Sequence, residues 1–260
     1  MFHPRIILKF LSVLLIFNGA FMCLVLPLAY ADNDGTFLGF VQVILLHALV
    51  GLLLYYFSKN SDARDLRSRD GFIVVTAGWI LMSIFGCLPF LLTGAIPDVT
   101  NAFFETMSGF TTTGASILDD IESLPRSVLL WRSLTQWIGG MGIIVLAVAI
   151  LPILGIGSTQ LFSAEAPGLK ADKIKPRIAD TAKRLWFIYM GLTLAETVLL
   201  WIGGMTPFDA LNHSLTTLST GGFSTKQASI AHWDSAYIQY VITLFMFLGG
   251  TNFILIYWLI

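Results

Sequence analysis

Long uncharged apolar stretches alternate with short polar links along this chain. No Asp, Glu, Lys or Arg occurs within 10–31, 35–58, 71–97, 133–164 or 235–260, and 185–208 holds only Glu196. A spanning helix needs about 20 apolar residues to cross ~30 Å of hydrocarbon. The pattern therefore predicts six membrane spans, near 6–30, 37–57, 71–94, 128–152, 183–205 and 235–260. Two shorter apolar stretches, 98–110 and 207–218, are interrupted by Asn101, Glu105, Asp209, Asn212 and His213. Each predicts a helix of about 12 residues, roughly 18 Å at 1.5 Å per residue. That is too short to cross and suits a re-entrant half-helix, allowed at membrane depth where protein or water surrounds it.

The half-helices belong to a repeat at a constant offset of 108. Asn101-Ala102 aligns with Asp209-Ala210, Gly114 with Gly222 and Ser116 with Ser224. Each half-helix runs into a hydroxyl- and glycine-rich segment, Phe110-Thr111-Thr112-Thr113-Gly114-Ala115 and Leu218-Ser219-Thr220-Gly221-Gly222-Phe223. The expected fold is an all-α integral membrane protein. Two extra N-terminal spans occupy 1–66, and a helix–pore-helix–loop–helix unit fills 67–157. A cytoplasmic linker at 158–182 and a second such unit at 183–260 complete it. The chain stops inside its last predicted span, at Tyr257-Trp258-Leu259-Ile260, with no basic anchor after it. A piece of a longer polypeptide is the expectation.

Composition agrees with this pattern: 56% of residues are hydrophobic, 12% are charged, and the mean hydropathy is +0.79. Soluble domains carry about 25% charged residues, so that class is excluded. With the N-terminus cytoplasmic, Arg5, Lys9, Lys59, Arg64, Arg67, Arg69, Lys170, Lys173, Lys175, Arg177, Lys183 and Arg184 fall on one side. Arg126, Arg132 and Lys226 are left outside, an imbalance that sets the orientation by the positive-inside rule. The net charge of −1 averages over this asymmetry and gives no nucleic-acid signal. Ala29-Tyr30-Ala31 resembles a signal-peptidase site, but the apolar run before it exceeds the 7–15 residues of such signals. Cys23 and Cys87 lie in predicted spans without metal-ligand spacing and read as buried small hydrophobes.

The candidate chemistry lies in the repeated loops. Asn101 and Asp209 stand at the half-helix N-termini, where such side chains accept hydrogen bonds from free N–H groups. The opposite ends carry partial negative charge toward the membrane centre, which favours a cation there. Thr112-Thr113-Gly114 and Thr220-Gly221-Gly222 can then turn backbone carbonyls inward, as a K⁺ filter does when it replaces the ion's hydration shell. Either tetrapeptide alone would read as an ordinary turn; repetition behind a half-helix favours a filter. A ring of four carbonyls needs either two chains like this one or two more units on the same chain. The missing basic anchor after the last span favours the second, which makes these two of an expected four units.

Other residues are weighed against this reading. Glu196 is either a coupling carboxylate or a hydrogen-bonded structural acid. Glu105 and His213, equivalent across the repeat, are expected to hold the half-helices behind the filter. Lys226 faces solvent or reaches back to an acid. Gly139-Gly140-Met141-Gly142 and Gly155-Ile156-Gly157 indicate close helix packing rather than a nucleotide site, and the basic stretch 170–184 needs no role beyond anchoring. A membrane enzyme built on Glu196, His47 or His213 lacks any H-E-x-x-H or G-x-S-x-G arrangement.

At this point several segments carry a resemblance. They are Ser68-Arg69-Asp70-Gly71-Phe72, Asn101-Ala102-Phe103-Phe104-Glu105, Thr111-Thr112-Thr113-Gly114-Ala115 and Gln136-Trp137-Ile138-Gly139-Gly140-Met141-Gly142. To them are added Leu151-Pro152-Ile153-Leu154-Gly155-Ile156-Gly157, Pro176-Arg177-Ile178-Ala179, Thr206-Pro207-Phe208-Asp209-Ala210 and Gly221-Gly222-Phe223-Ser224-Thr225. Together they resemble the Trk/Ktr/HKT superfamily of K⁺ transporters, and within it the bacterial TrkH family of membrane subunits. The resemblance implies four repeats after two extra spans, a homodimer of the complete protein, and a cytosolic nucleotide-binding TrkA-type regulatory subunit. It implies K⁺ as the transported ion, with Rb⁺ or Na⁺ as alternatives, a bacterial inner membrane, no cofactor and no enzyme activity. Carried over by motif, the filter comprises Thr111, Thr112, Thr113, Gly114 and Ala115 with Ser219, Thr220, Gly221, Gly222 and Phe223. Thr112, Thr113, Thr220 and Gly221 would line the ion sites, and Gly114 and Gly222 would be the filter glycines.

Overall fold

The computed structural model describes residues 4–59, 68–142 and 178–251. Among them every regular element is helical. The first predicted span is two helices, α1 (Pro4–Met22) and α2 (Leu26–Asp32), separated by a tight turn. Pro27 opens α2, and a proline, lacking an N–H, is tolerated in the first turn but not mid-helix. The same device divides the third predicted span into α4 (Ser68–Gly86) and α5 (Leu88–Leu92), with Pro89 in the first turn of α5. Between them α3 (Phe37–Ser58) runs unbroken.

Small residues let α1 and α3 approach. A Cβ added at Gly51 would stand 2.6 Å from Cγ1 of Ile16, and one at Gly19 would stand 2.9 Å from Cβ of His47. Beside this contact Asn18 and His47, both buried, bridge the two helices at 3.2 Å. Nδ1 of His47 donates to the Val43 carbonyl at 2.8 Å, so its Nε2 is the acceptor for the Asn18 amide.

The rest of the chain contains α6 (Val99–Phe110), α7 (Arg126–Gly140), α8 (Ile178–Ile202), α9 (Pro207–Leu218), a 3₁₀ turn at Ser229–His232 and α10 (Ala236–Gly250). Four stretches among the described residues are long and apolar enough to cross a membrane: Pro4–Asp32, Phe37–Ser58, Asp70–Leu92 and Lys183–Ile202. The predicted spans 128–152 and 235–260 begin in α7 and α10 and continue outside the described residues. Of the predicted linker 158–182, residues 158–177 lie outside them and 178–182 form the start of α8. Large apolar side chains are exposed along α3 (Leu38, Leu45, Leu52, Phe57) and α8 (Phe187, Leu194, Trp201). Faces of that kind belong against lipid rather than water. The chain is an all-α integral membrane protein with several spans.

In contrast, α7 is buried without interruption from Ser127 to Ile138. It packs against α6, α9 and α2, and Trp131, Trp137, Phe110 and Tyr189 form the aromatic core around it. Two cysteine expectations divide: Cys87 is buried, whereas Cys23 is exposed in the turn after α1.

Introducing leucine at Gly51 should force α1 from α3 and destabilise the detergent-solubilised protein by about 1–3 kcal/mol, the usual cost of overpacking. A thermal melt read by intrinsic fluorescence should show the loss, while Leu52→Ala, on the lipid-facing side, should leave the midpoint nearly unchanged.

Candidate functional site

Two short helices of 12 residues each, α6 and α9, deliver the glycine-rich loops. Their N-caps are Asp98, which accepts from the Asn101 N–H at 2.8 Å, and Thr206, which accepts from the Asp209 N–H at 3.1 Å. Asn101 and Asp209 are thus not the capping acceptors that their position suggested; each lies three residues into its helix and donates to the true cap. Asp209 is doubly used. One carboxylate oxygen accepts from Thr206 Oγ1 at 2.8 Å, and the other accepts from Thr225 Oγ1 at 2.6 Å.

The C-terminal ends of α6 and α9 unwind in the same way. The N–H groups of Thr112 and Thr113 donate to the carbonyls of Gly109 and Ser108, and those of Thr220 and Gly221 donate to Thr217 and Thr216, all at 2.9 Å. Thr112 and Thr220 have φ of 53° and 56°, and Gly114 and Gly222 have φ of 76° and 78°. The residues between them, Thr113 and Gly221, do not have positive φ. A β-branched residue in the left-handed region is a genuine outlier, costing about 1–2 kcal/mol. Its occurrence at both matched positions marks a conformation imposed by the surroundings. In the first loop Thr111 and Thr113 pair through their hydroxyls at 2.7 Å, and Ser108 Oγ donates to the Ala115 carbonyl at 2.6 Å.

Thr111, Thr113, Ala115, Thr220 and Gly222 are exposed, Thr112 and Gly114 half-buried, and Ser219, Gly221 and Phe223 buried. The two loops meet at their glycines, since a Cβ on Gly114 would strike the Gly221 carbonyl oxygen.

Behind the loops stands a buried ion pair. Glu105 on α6 accepts from Nε of Arg132 on α7 at 2.6 Å, with side-chain exposures of 0% and 3%. The same carboxylate accepts from Ser116 Oγ and the Ile117 N–H, both at 3.0 Å, fixing the exit of the first loop. Arg132 extends to the second loop, where Nη1 donates to the Ser224 carbonyl at 2.8 Å and the guanidinium stacks 3.7 Å from the Phe223 ring centroid. His213, equivalent to Glu105, gives Nδ1–H to the Asp209 carbonyl at 2.8 Å and accepts from Ser224 Oγ at 3.0 Å. Position 105 or 213 therefore holds the serine at 116 or 224.

One turn beyond Arg132, Gln136 Oε1 accepts from the Phe223 N–H at 3.0 Å. Gly139 abuts the Phe110 carbonyl and Gly140 the Ser219 Cα, so side chains there would collide with the loop backbone. Lys226 meets Glu122 at 3.4 Å at the partly exposed rim of the loops.

Glu196 lies fully buried on α8 with neither carboxyl oxygen in a hydrogen bond. The Thr217 hydroxyl faces it without reaching bonding geometry. Glu196, His47 and His213 are not assembled into one centre, since the two histidines are engaged with Asn18 and Ser224. The loops instead offer backbone carbonyls and threonine hydroxyls, neutral oxygen ligands suited to a hard monovalent cation. Arg132, Gln136, Asp98 and Thr206 had no assigned role on sequence grounds. Arg132 stood among the outer flanking charges, whereas it is a core residue. The available signal was its spacing from Gln136, four residues apart on one helix face in a stretch otherwise without charge.

The family described as "TrkH: Cation transport protein" matches residues 37–260. The chain belongs to this family. The "Trk system potassium uptake protein TrkH" of Escherichia coli (strain K12) is 44% identical over 254 residues, 96% of this chain and 52% of the relative. "Trk system potassium uptake protein TrkG" of the same organism is 41% identical over 236 residues, covering 90% and 48%. The crystal structure of the potassium transporter TrkH from Vibrio parahaemolyticus superposes with a TM-score of 0.81 at 40% identity, over 97% of this chain and 51% of that one. The chain thus spans about half the length of these family members.

Removing one partner of the ion pair strands the other. Arg132→Ala should destabilise the solubilised protein by about 3–5 kcal/mol, the range for breaking a buried pair. The double variant Arg132→Met with Glu105→Gln should recover part of that loss in a thermal melt; equal melting points for single and double variants would reject the coupling.

Proposed function

We propose that this chain forms part of the ion-conducting membrane subunit of a K⁺ uptake system, with its two loops as half of a carbonyl-lined selectivity filter. The observation that carries the reading is the matched backbone of the loops, with positive φ at Thr112 and Gly114 and again at Thr220 and Gly222. Alternating the sign of φ turns successive carbonyls to one side of the chain, whereas an extended strand points them alternately to both. A run of carbonyls on one side is what a dehydrated K⁺ requires. The C-terminal ends of α6 and α9 lie directly before these loops and add partial negative charge. The potassium uptake named for the relatives supports the same cargo.

In this reading the two N-terminal spans up to residue 66 precede two helix–pore-helix–loop–helix units, 67–157 and 183–260, joined by a cytoplasmic linker at 158–182. Thr112, Thr113, Thr220 and Gly221 contribute the ion ligands. Two further loops complete a four-fold ring, supplied by chain of the length that the relatives carry beyond this match. The protein lies in a bacterial inner membrane with a cytoplasmic N-terminus. The complete subunit forms a homodimer and takes a cytosolic nucleotide-binding regulatory subunit. The half-length match also favours a second reading, in which the 260 residues alone are a non-conducting fragment.

Uptake of radioactive Rb⁺ into K⁺-uptake-deficient bacteria tests both. The chain joined to the second half of the E. coli relative should transport; transport by the 260-residue chain alone would show that two copies complete a pore. In the joined form Gly114→Ser and Gly222→Ser should each raise Na⁺ uptake relative to Rb⁺ by roughly tenfold, equivalent to ~1.4 kcal/mol of lost discrimination. Unchanged ratios in both variants would reject the filter.

A further inference from the structure

Besides Arg132, a second side chain of α7 holds the second loop from behind. Gln136 of α7 is fully buried, and its Oε1 accepts the Phe223 N–H at 3.0 Å. That donor settles the orientation of the side-chain amide, because only the oxygen end can receive an N–H. It also settles the orientation of a backbone group. The Phe223 N–H and the Gly222 carbonyl belong to one planar trans peptide unit and point in opposite directions. With the N–H directed back at α7, the Gly222 carbonyl faces the other way, on the exposed side of the loop.

Gly221 shows how closely the glutamine is fitted. Its φ is not positive, so its conformation does not demand glycine. Close approach does: a Cβ at Gly221 would strike the side-chain amide carbon and Oε1 of Gln136 and stand 2.6 Å from Nε2. The amide also reaches toward the first loop, with Nε2 3.9 Å from where a Cβ on Gly114 would stand. It is a wedge at the junction of the two loops.

The counterpart helix lacks the wedge. Both α7 and α10 have 15 residues. Gly139 and Gly249 occupy equivalent places, each against the last carbonyl of a short helix, that of Phe110 or Leu218. Three residues before Gly249 stands Met246, which is exposed and has no amide. The glutamine is therefore a feature of one junction rather than a requirement of the helix packing.

We infer that Gln136 is a positioning residue that sets ion specificity, holding the Gly222–Phe223 peptide so that the Gly222 carbonyl stays on the ion-facing side of the second loop. The inference rests on the filter reading above. Arg132 holds the Phe223 ring and the Ser224 carbonyl but not the Gly222–Phe223 peptide. Without the acceptor on α7 that peptide can turn, which removes one carbonyl from the ion's path and puts an N–H in its place. Discrimination between K⁺-sized ions and Na⁺ is lost while the helices stay packed.

The test compares Gln136→Met, Gln136→Glu and Gly222→Ser in the chain joined to the second half of the E. coli relative. Initial rates of Rb⁺ and Na⁺ uptake are normalised to the amount of protein in the membrane. Gln136→Met takes the residue found at the counterpart position and removes the acceptor; it should raise the Na⁺-to-Rb⁺ ratio about threefold to tenfold, the worth of one hydrogen bond. Gln136→Glu keeps an acceptor oxygen and should retain most of the discrimination. If Gln136→Met does not reach the membrane, Gln136→Asn, which withdraws the amide by one methylene, reads the same contact. A shift in Gly222→Ser with none in Gln136→Met, or equal shifts in the methionine and glutamate variants, would overturn the role of Gln136 and leave the filter standing. No shift in either Gly222→Ser or Gln136→Met would remove the filter reading itself.

Discussion

The ion pair between Glu105 and Arg132 is the constraint on which the loop region depends. An unpaired charge at this burial would cost several kcal/mol, so neither residue can leave the other. Each also holds a different loop: Glu105 fixes Ser116 and Ile117 of the first, and Arg132 fixes Ser224 and Phe223 of the second. Electrostatics inside the protein thus becomes a ruler between two segments more than 100 residues apart in sequence. The pair contributes little net stability in the way a hydrophobic contact would. Its effect is to make one arrangement of the loops far less costly than any other.

The loops can then hold conformations that they would not hold alone. Thr112 and Thr220 sit in the left-handed region at a cost of about 1–2 kcal/mol each. Hydrogen bonds at the ends of α6 and α9, the serine anchors at 116 and 224, and the wall formed by α7 offset it. Strain of this kind, kept by a surrounding that over-determines it, gathers at functional sites.

Much of this was readable from the residues, and the limits have physical causes. Apolar length gave the spans on α1–α5 and α8, because hydrocarbon thickness is a simple requirement on chain length. The half-helices followed from the same count, and the offset of 108 located the loops that α6 and α9 deliver. Proline positions carried a finer signal that the span count passed over, the breaks before Pro27 and Pro89. Capping was misplaced by three residues, because Asp98 and Thr206 differ in type although they do the same work. The partners that Arg132 and Gln136 find in the second loop were not readable, since that loop lies some 90 residues away and only the folded chain brings them together. Glu196 reads from the sequence as either a coupling acid or a hydrogen-bonded one; it is fully buried with the Thr217 hydroxyl facing it, an arrangement that fits both descriptions.

The glycines at the end of α7 bear on how such a site responds to a fluctuating membrane. At Gly139 the helix backbone rests directly on the Phe110 carbonyl, and at Gly249 α10 rests in the same way on Leu218. Where main chain touches main chain, spacing is set by bond lengths and planar peptides rather than by rotamers that hop at room temperature. When bilayer thickness or temperature tilts α7 or α10, the adjoining loop travels with the helix as one body. The spacing between the loops is then insulated from the motions of the lipid-facing side chains.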